Sequence, residues 1–212
     1  MKILQYLFIS LGHKILKLLP YTSIRILSVP IGTLYFLLTF RSSIKLFKRK
    51  EIFNELKINY KPLIVKINYT RYWLETLWLT NKNFSKYISP HVEIENLEYV
   101  EKLKKQYPGL IFALPHLGNW EFAIPIGNSI KLNLLAVAEP LNNSYVLNWF
   151  KSLRESLGIE IIIGGKGQNT FDLLVNKLKS GKDICLLSER SIKKSGVATE
   201  FFGQLAAFPK GP

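Results

Sequence analysis

No aspartate or glutamate occurs in the first fifty residues, although nine lysines and arginines do. That segment holds +9 of the chain's formal charge of +14, and the other 162 residues only +5. Between its cations it is strongly apolar, as in residues 3–11 and 26–40. Basic and apolar together point to a membrane surface carrying anionic lipid. A nucleic-acid arm is polar between its charges, so no nucleic acid is expected as partner. Also lacking is an unbroken run long enough to span a bilayer, which takes about 20 apolar residues. Eleven uncharged residues separate Lys2 from Lys14, and fifteen separate Arg25 from Arg41. Helices lying in or dipping into the interface are the favoured reading, while snorkelling of Arg25 keeps a single anchor open. Gly12-His13-Lys14 offers no small-residue cleavage site, which argues against a signal peptide.

Cysteine is nearly absent too. The lone Cys185 excludes an internal disulfide and a Cys-based zinc site, and it fits a reducing cytoplasmic location. Within Ile184-Cys185-Leu186-Leu187 it reads as a buried strand residue. No His/Cys/Asp cluster has metal-ligand spacing, so no metal is expected. No Gly-x-Ser-x-Gly elbow occurs, which disfavours a serine hydrolase of the α/β type. Gly164-Gly165-Lys166-Gly167 lacks the spacing of a phosphate-binding loop and reads as a turn. Only three histidines, at 13, 91 and 116, are present to move protons near neutrality.

What is present is enough for one sizeable core and falls into two parts. Residues 1–80 read as a helical, basic, membrane-associated region. Pro20-Tyr21-Thr22-Ser23 breaks the first helix from the second, residues 45–57 continue with basic residues, and Pro62 opens a helix over 63–79. Residues 81–212 read as an α/β domain. Strands are expected at 92–94, 110–114, 134–138, 159–163 and 183–187. Helices are expected at 96–105, 118–130, 144–157 and 170–179. The continuous apolar run 110–114 suits a strand buried on both faces. This alternation predicts a mainly parallel sheet with crossover helices. Ligands of such sheets bind off the carboxyl ends of the strands.

His116 sits at that end of its strand, in Ala113-Leu114-Pro115-His116-Leu117-Gly118-Asn119-Trp120-Glu121. A nearby carboxylate fixes an imidazole's tautomer and stabilises its cation, which makes a general base for activating a hydroxyl. Five positions along a regular helix is about 500°, so His116 and Glu121 meet only if Pro115 and Gly118 hold the histidine in a turn. Asn119 is the N-cap candidate and places Glu121 in the first helical turn. The plainer reading is a capping carboxylate beside an incidental surface histidine. His13 and His91 lack a comparable setting. Arg154, near the end of a helix, and Arg190, after a strand, suit a bidentate phosphate clamp. For Arg154 a helix-dipole role serves equally well. Glu189 is either a second carboxylate near the histidine or the surface partner of Arg190. Arg71 and Glu75 have ordinary i, i+4 helix spacing. Trp73, Trp78 and Trp149 suit a core or an interfacial belt.

Several runs together resemble one family, the bacterial lipid A late acyltransferases and the related phosphatidylinositol mannoside acyltransferases. His116-Leu117-Gly118-Asn119-Trp120-Glu121 matches the family's His-x-x-x-x-Asp/Glu motif. Arg71-Tyr72-Trp73-Leu74-Glu75, Val137-Ala138-Glu139-Pro140-Leu141 and Arg154-Glu155-Ser156-Leu157-Gly158 follow in order, as do Leu187-Ser188-Glu189-Arg190 and Pro209-Lys210-Gly211-Pro212. The resemblance implies a glycerolipid-acyltransferase-like α/β domain at the cytoplasmic face of the plasma (inner) membrane. It implies acyl transfer from acyl-CoA or acyl carrier protein, as co-substrate and without a cofactor, to a hydroxyl of a glycolipid. His116 would be the base, Glu121 its acid and Glu189 a further relay carboxylate. Arg154 and Arg190 would lie near phosphate groups, with Asn119 and Arg71 also among the substrate-binding residues. Family chains run past the Pro-x-Gly-Pro element, so the domain is expected to be incomplete at its C-terminus. The rival expectation is a catalytically incomplete, membrane-bound lipid-binding protein.

Overall fold

A computed structural model describes residues 2–40, 61–164, 169–189, 196–201 and 203–209. The helix expected at 45–57 and the turn expected at 164–167 lie wholly or mostly outside those residues. The chain divides into a helical unit, Leu11–Leu79, and an α/β unit formed by Met1–Ser10 with Thr80–Pro212.

The helical unit takes the latter part of α1 (Lys2–Leu16), all of α2 (Tyr21–Leu38) and α3 (Pro62–Trp78). Ile24, Ser28 and Gly32, spaced four apart, form the buried face of α2. Glycine at 32 lets the backbones close up, because a Cβ there would lie 2.6 Å from the Ile67 Cα. Tyr21 Oη donates to Glu75 at 2.8 Å, Trp78 Nε1 to the Leu19 carbonyl at 2.9 Å, and Arg71 Nε to Ser28 Oγ at 3.5 Å. His13 is structural here. Its Nδ1–H donates to the Leu77 carbonyl at 2.7 Å, and burial holds the ring below its ordinary pKa. Of the described helices, α2 is long and apolar enough to cross a membrane by length and composition. Its 18 residues make about 27 Å.

In the α/β unit the elements run α4 (Asn81–Tyr87), α5 (Leu97–Gln106), β1 (Ile111–Leu114), α6 (Ala123–Ser129), β2 (Leu134–Ala138), α7 (Ser144–Leu157), β3 (Glu160–Ile163), α8 (Thr170–Lys179), β4 (Asp183–Leu187), β5 (Val197–Phe201) and β6 (Gln204–Phe208). The first four strands form one parallel sheet in the order β1-β4-β2-β3. Leu134, Leu135, Ile161 and Ile184 from its central part pack with Ile124, Leu153 and Leu157 from the helices as the core. The α/β class with N-terminal helices is therefore as expected. Two details differ. Residues 92–94 join no strand, being a short link between a 3-10 turn at Ser89–His91 and α5. β1 is an edge strand rather than one buried on both faces, and Ile111 is more than half exposed. The antiparallel hairpin β5–β6, turning at Gly203 with φ 75°, was not foreseen.

At the amino end of the sheet, Asp183 is wholly buried. It accepts from the Leu110 N–H at 3.0 Å, the Asn133 N–H at 2.8 Å and Lys104 Nζ at 2.9 Å. Asp183→Ala strands two main-chain donors and an ammonium, and is expected to cost about 3–5 kcal/mol. A thermal melt followed by circular dichroism measures it, and Asp183→Asn, which keeps one acceptor, should lose less.

Candidate active site

β1 ends at Leu114, and the His116 N–H, next in line to face β4, goes to the Glu189 carboxylate instead of continuing the ladder. The Leu117 N–H donates to the Pro115 carbonyl at 2.8 Å, and Gly118 turns the chain with φ 62°. Asn119 then caps a 3-10 turn at Trp120–Phe122, its Oδ1 accepting from the Glu121 N–H at 3.1 Å. His116 is thus presented on a turn before the helical segment, as its flanking Pro115 and Gly118 predict.

The partner of its ring is set by the sheet. β1 and β4 are paired in parallel, with Leu114 opposite Leu187. Parallel strands advance in step, about 3.3 Å per residue, so equal offsets beyond that pair emerge side by side. The ladder continues one bond further, from the Ser188 N–H to the Leu114 carbonyl at 2.9 Å. One position beyond, His116 Nδ1–H donates to Glu189 Oε1. Both side chains are about one-third exposed, at 31% and 34%.

Burial by itself pushes the Glu189 carboxyl up. The backbone N–H groups of Glu189 and His116, the ring hydrogen bond and the imidazole's charge outweigh it, so the carboxyl lies below its ordinary value of 4.5. Its pairing therefore stabilises the fold above that value and is lost as the pH falls through the lowered one. Charged at neutral pH, Glu189 only accepts, so Nδ1 is the ring nitrogen that donates in this pair and Nε2 is the one turned away from it. The other carboxylate oxygen, Oε2, is enclosed with no hydrogen-bond partner among the described residues. Trp120 stands perpendicular to the His116 ring at 4.7 Å between centroids and limits how it can turn. Trp120 was not foreseen as a site residue, although its place inside the His-x-x-x-x-Glu run could have signalled it.

Glu121 does something other than orient the ring. It is 2% exposed. Arg154, in the last turn of α7, grips it with Nε at 3.1 Å from Oε2 and Nη2 at 2.6 Å from Oε1. This two-pronged pair ties the turn behind His116 to α7. The expectation of Glu121 as the ring's direct partner is thus replaced by Glu189, because parallel register, not sequence spacing, decides which carboxylate arrives. Arg154, expected near phosphate, spends two donors on Glu121. Arg71 lies in the helical unit against Ser28. Arg190 lies outside the described residues.

Over residues 1–212 the chain matches the family described as bacterial lipid A biosynthesis acyltransferase. The chain belongs to this family. It is similar to the phosphatidylinositol mannoside acyltransferase of Mycolicibacterium smegmatis (strain ATCC 700084 / mc(2)155), at 31% identity over 149 residues, covering 68% of this chain and 48% of that protein. The enzyme of the same name from Mycobacterium tuberculosis (strain CDC 1551 / Oshkosh) is 31% identical over 148 residues, covering 68% and 46%. The matched region spans about half the length of these curated relatives.

Within this family member, Arg154→Ala takes two charge-assisted hydrogen bonds from a buried carboxylate, at an expected cost of about 3–5 kcal/mol in chemical unfolding. Glu121→Ala should cost less, since the guanidinium, 25% exposed as a side chain, reaches water. Arg154→Lys keeps the charge without the fork and should fall between wild type and Arg154→Ala.

Proposed function

We propose that this chain transfers a fatty acyl group from acyl-CoA or acyl carrier protein to a hydroxyl of a glycolipid of the phosphatidylinositol mannoside or lipid A type. The work is done at the cytoplasmic face of the plasma (inner) membrane. The observation that carries this reading is the His116–Glu189 pair at the carboxyl edge of a parallel sheet, in a chain of this family. The acid-free, basic and apolar N-terminus and the apolar helix α2 support the membrane setting.

The chemistry follows from the pair. The acceptor hydroxyl attacks the thioester carbonyl, and Nε2 of His116 takes its proton as the new C–O bond forms. Glu189 holds the ring through Nδ1–H and stabilises the imidazolium. When the tetrahedral adduct collapses, the C–S bond breaks and the thiolate receives that proton. The step balances without a metal, a bound cofactor or an acyl-enzyme. General-base help supplies about 100- to 10,000-fold, and holding two lipid substrates together supplies much of the rest.

His116→Ala is expected to lower the transfer rate by about 1,000-fold while folding and vesicle binding are kept. Glu189→Gln should cost about 100-fold or more, because an amide no longer stabilises the imidazolium. Both are measured by incubating the full chain with labelled long-chain acyl-CoA and a glycolipid extract. Transfer near the wild-type rate by His116→Ala would overturn the reading. Saturable lipid binding without acylated product, in the unaltered chain, would instead favour a lipid-binding protein without turnover.

A further inference from the structure

His116 rides on a loop with little packing of its own. Pro115, Leu117 and Gly118 are exposed, and no described residue comes within 4 Å of where a Cβ on Gly118 would stand. The torsion that turns a histidine ring has broad wells. Against it the ring has its hydrogen bond to Glu189, between side chains that both meet water. A bond of that kind, in competition with solvent, favours the held ring over a freed one by only about tenfold. The next turn is built differently. Asn119 caps it through the Glu121 N–H, and the Phe122 N–H donates to the Asn119 carbonyl, both at 3.1 Å. Arg154 grips Glu121 with two donors. The Phe122 ring packs at 6.2 Å on that of Phe84 in α4, which is buried. Trp120 therefore stands between two anchored neighbours, and its indole meets the imidazole at 83°.

We infer that Trp120 is a positioning residue, a brace that fixes the plane of the His116 ring and through which the Glu121–Arg154 pair acts on that ring. Glu189 fixes the imidazole at one point, Nδ1, and a ring held at one point still swings. The perpendicular indole blocks that swing, so the two contacts together define where Nε2 is aimed. An aromatic contact of this geometry adds a bias of about two- to tenfold beyond its buried area. Its effect on rate is larger than the bias alone suggests, because a reacting atom out of line by about 1 Å is costly. The consequence for the rate rests on the proposed transfer reaction, whereas the consequence for the ring does not.

The test compares Trp120→Leu, which keeps apolar bulk without a ring plane, with Trp120→Phe, which keeps a ring. Trp120→Met, another flexible apolar side chain, takes the place of the leucine variant should that one not fold. With labelled acyl-CoA and a glycolipid extract, the leucine variant should lose about tenfold in kcat while KM stays within about twofold. The phenylalanine variant should recover most of kcat. Proton NMR reads the ring without any turnover. The Nδ1–H line, assigned by its loss in His116→Gln, should stay sharp in wild type and Trp120→Phe. In Trp120→Leu it should broaden as the proton exchanges faster with water. A sharp line with wild-type kcat in the leucine variant overturns the proposal. A raised KM at unchanged kcat overturns it as well, since Trp120 would then be a substrate contact. Broadening in Trp120→Leu, in a protein whose unaltered chain transfers nothing, would sink the reaction and leave the brace standing.

Discussion

One buried carboxylate governs the geometry of the sheet. Asp183 has no exposure, and it is bound by the amides that lead into β1 and β2 and by Lys104. A carboxylate in that position is tolerable only while those donors are in place. The strands are therefore aligned at their amino ends by an interaction that accepts no substitute partner. A slip of one residue would turn every side chain to the opposite face. Alignment at one end then propagates along four or five residues to Leu114 and Leu187, and beyond them to His116 and Glu189.

The two carboxylates near the histidine divide the labour between them. Glu189 is partly exposed, charged and hydrogen-bonded to the ring, so it sets how the imidazole is held. Glu121 is buried and held by Arg154, so it fixes the turn on which His116 rides. A buried ion pair is weak evidence for net stability, yet it selects one arrangement over its competitors. Here the arrangement selected joins the 3-10 turn after His116 to α7, and Trp120 packs on the ring from that same turn.

Much of this architecture was legible in the residues. Helices 144–157 and 170–179 and strands 134–138 and 183–187 have the bounds expected of them, because each combines a clear hydrophobic period with a cap or a turn. Asn119 and Asn143 both cap helical turns, as short polar side chains do before an apolar run. The residues 92–94 misled, since three apolar-alternating residues look like a strand whether or not a partner lies beside them. The strand order was not readable either. β1, an unbroken apolar run, looks fit for the centre but sits at the edge, and β4 takes the central place. With that order hidden, the carboxylate nearest in sequence drew the attention that belonged to one seventy-three positions away.

That insertion of β4 between β1 and β2 has a further bearing on how the protein comes to life. One five-residue strand carries the clasp at its first position and delivers the carboxylate that holds the His116 ring two residues past its last. The contacts it makes are distant in sequence, and such contacts form late and cooperatively. A growing chain therefore has no His116–Glu189 pair until its scaffold is shut. In the proposed reaction, maturation and reactivity are then acquired in a single event, and a half-folded copy is chemically silent.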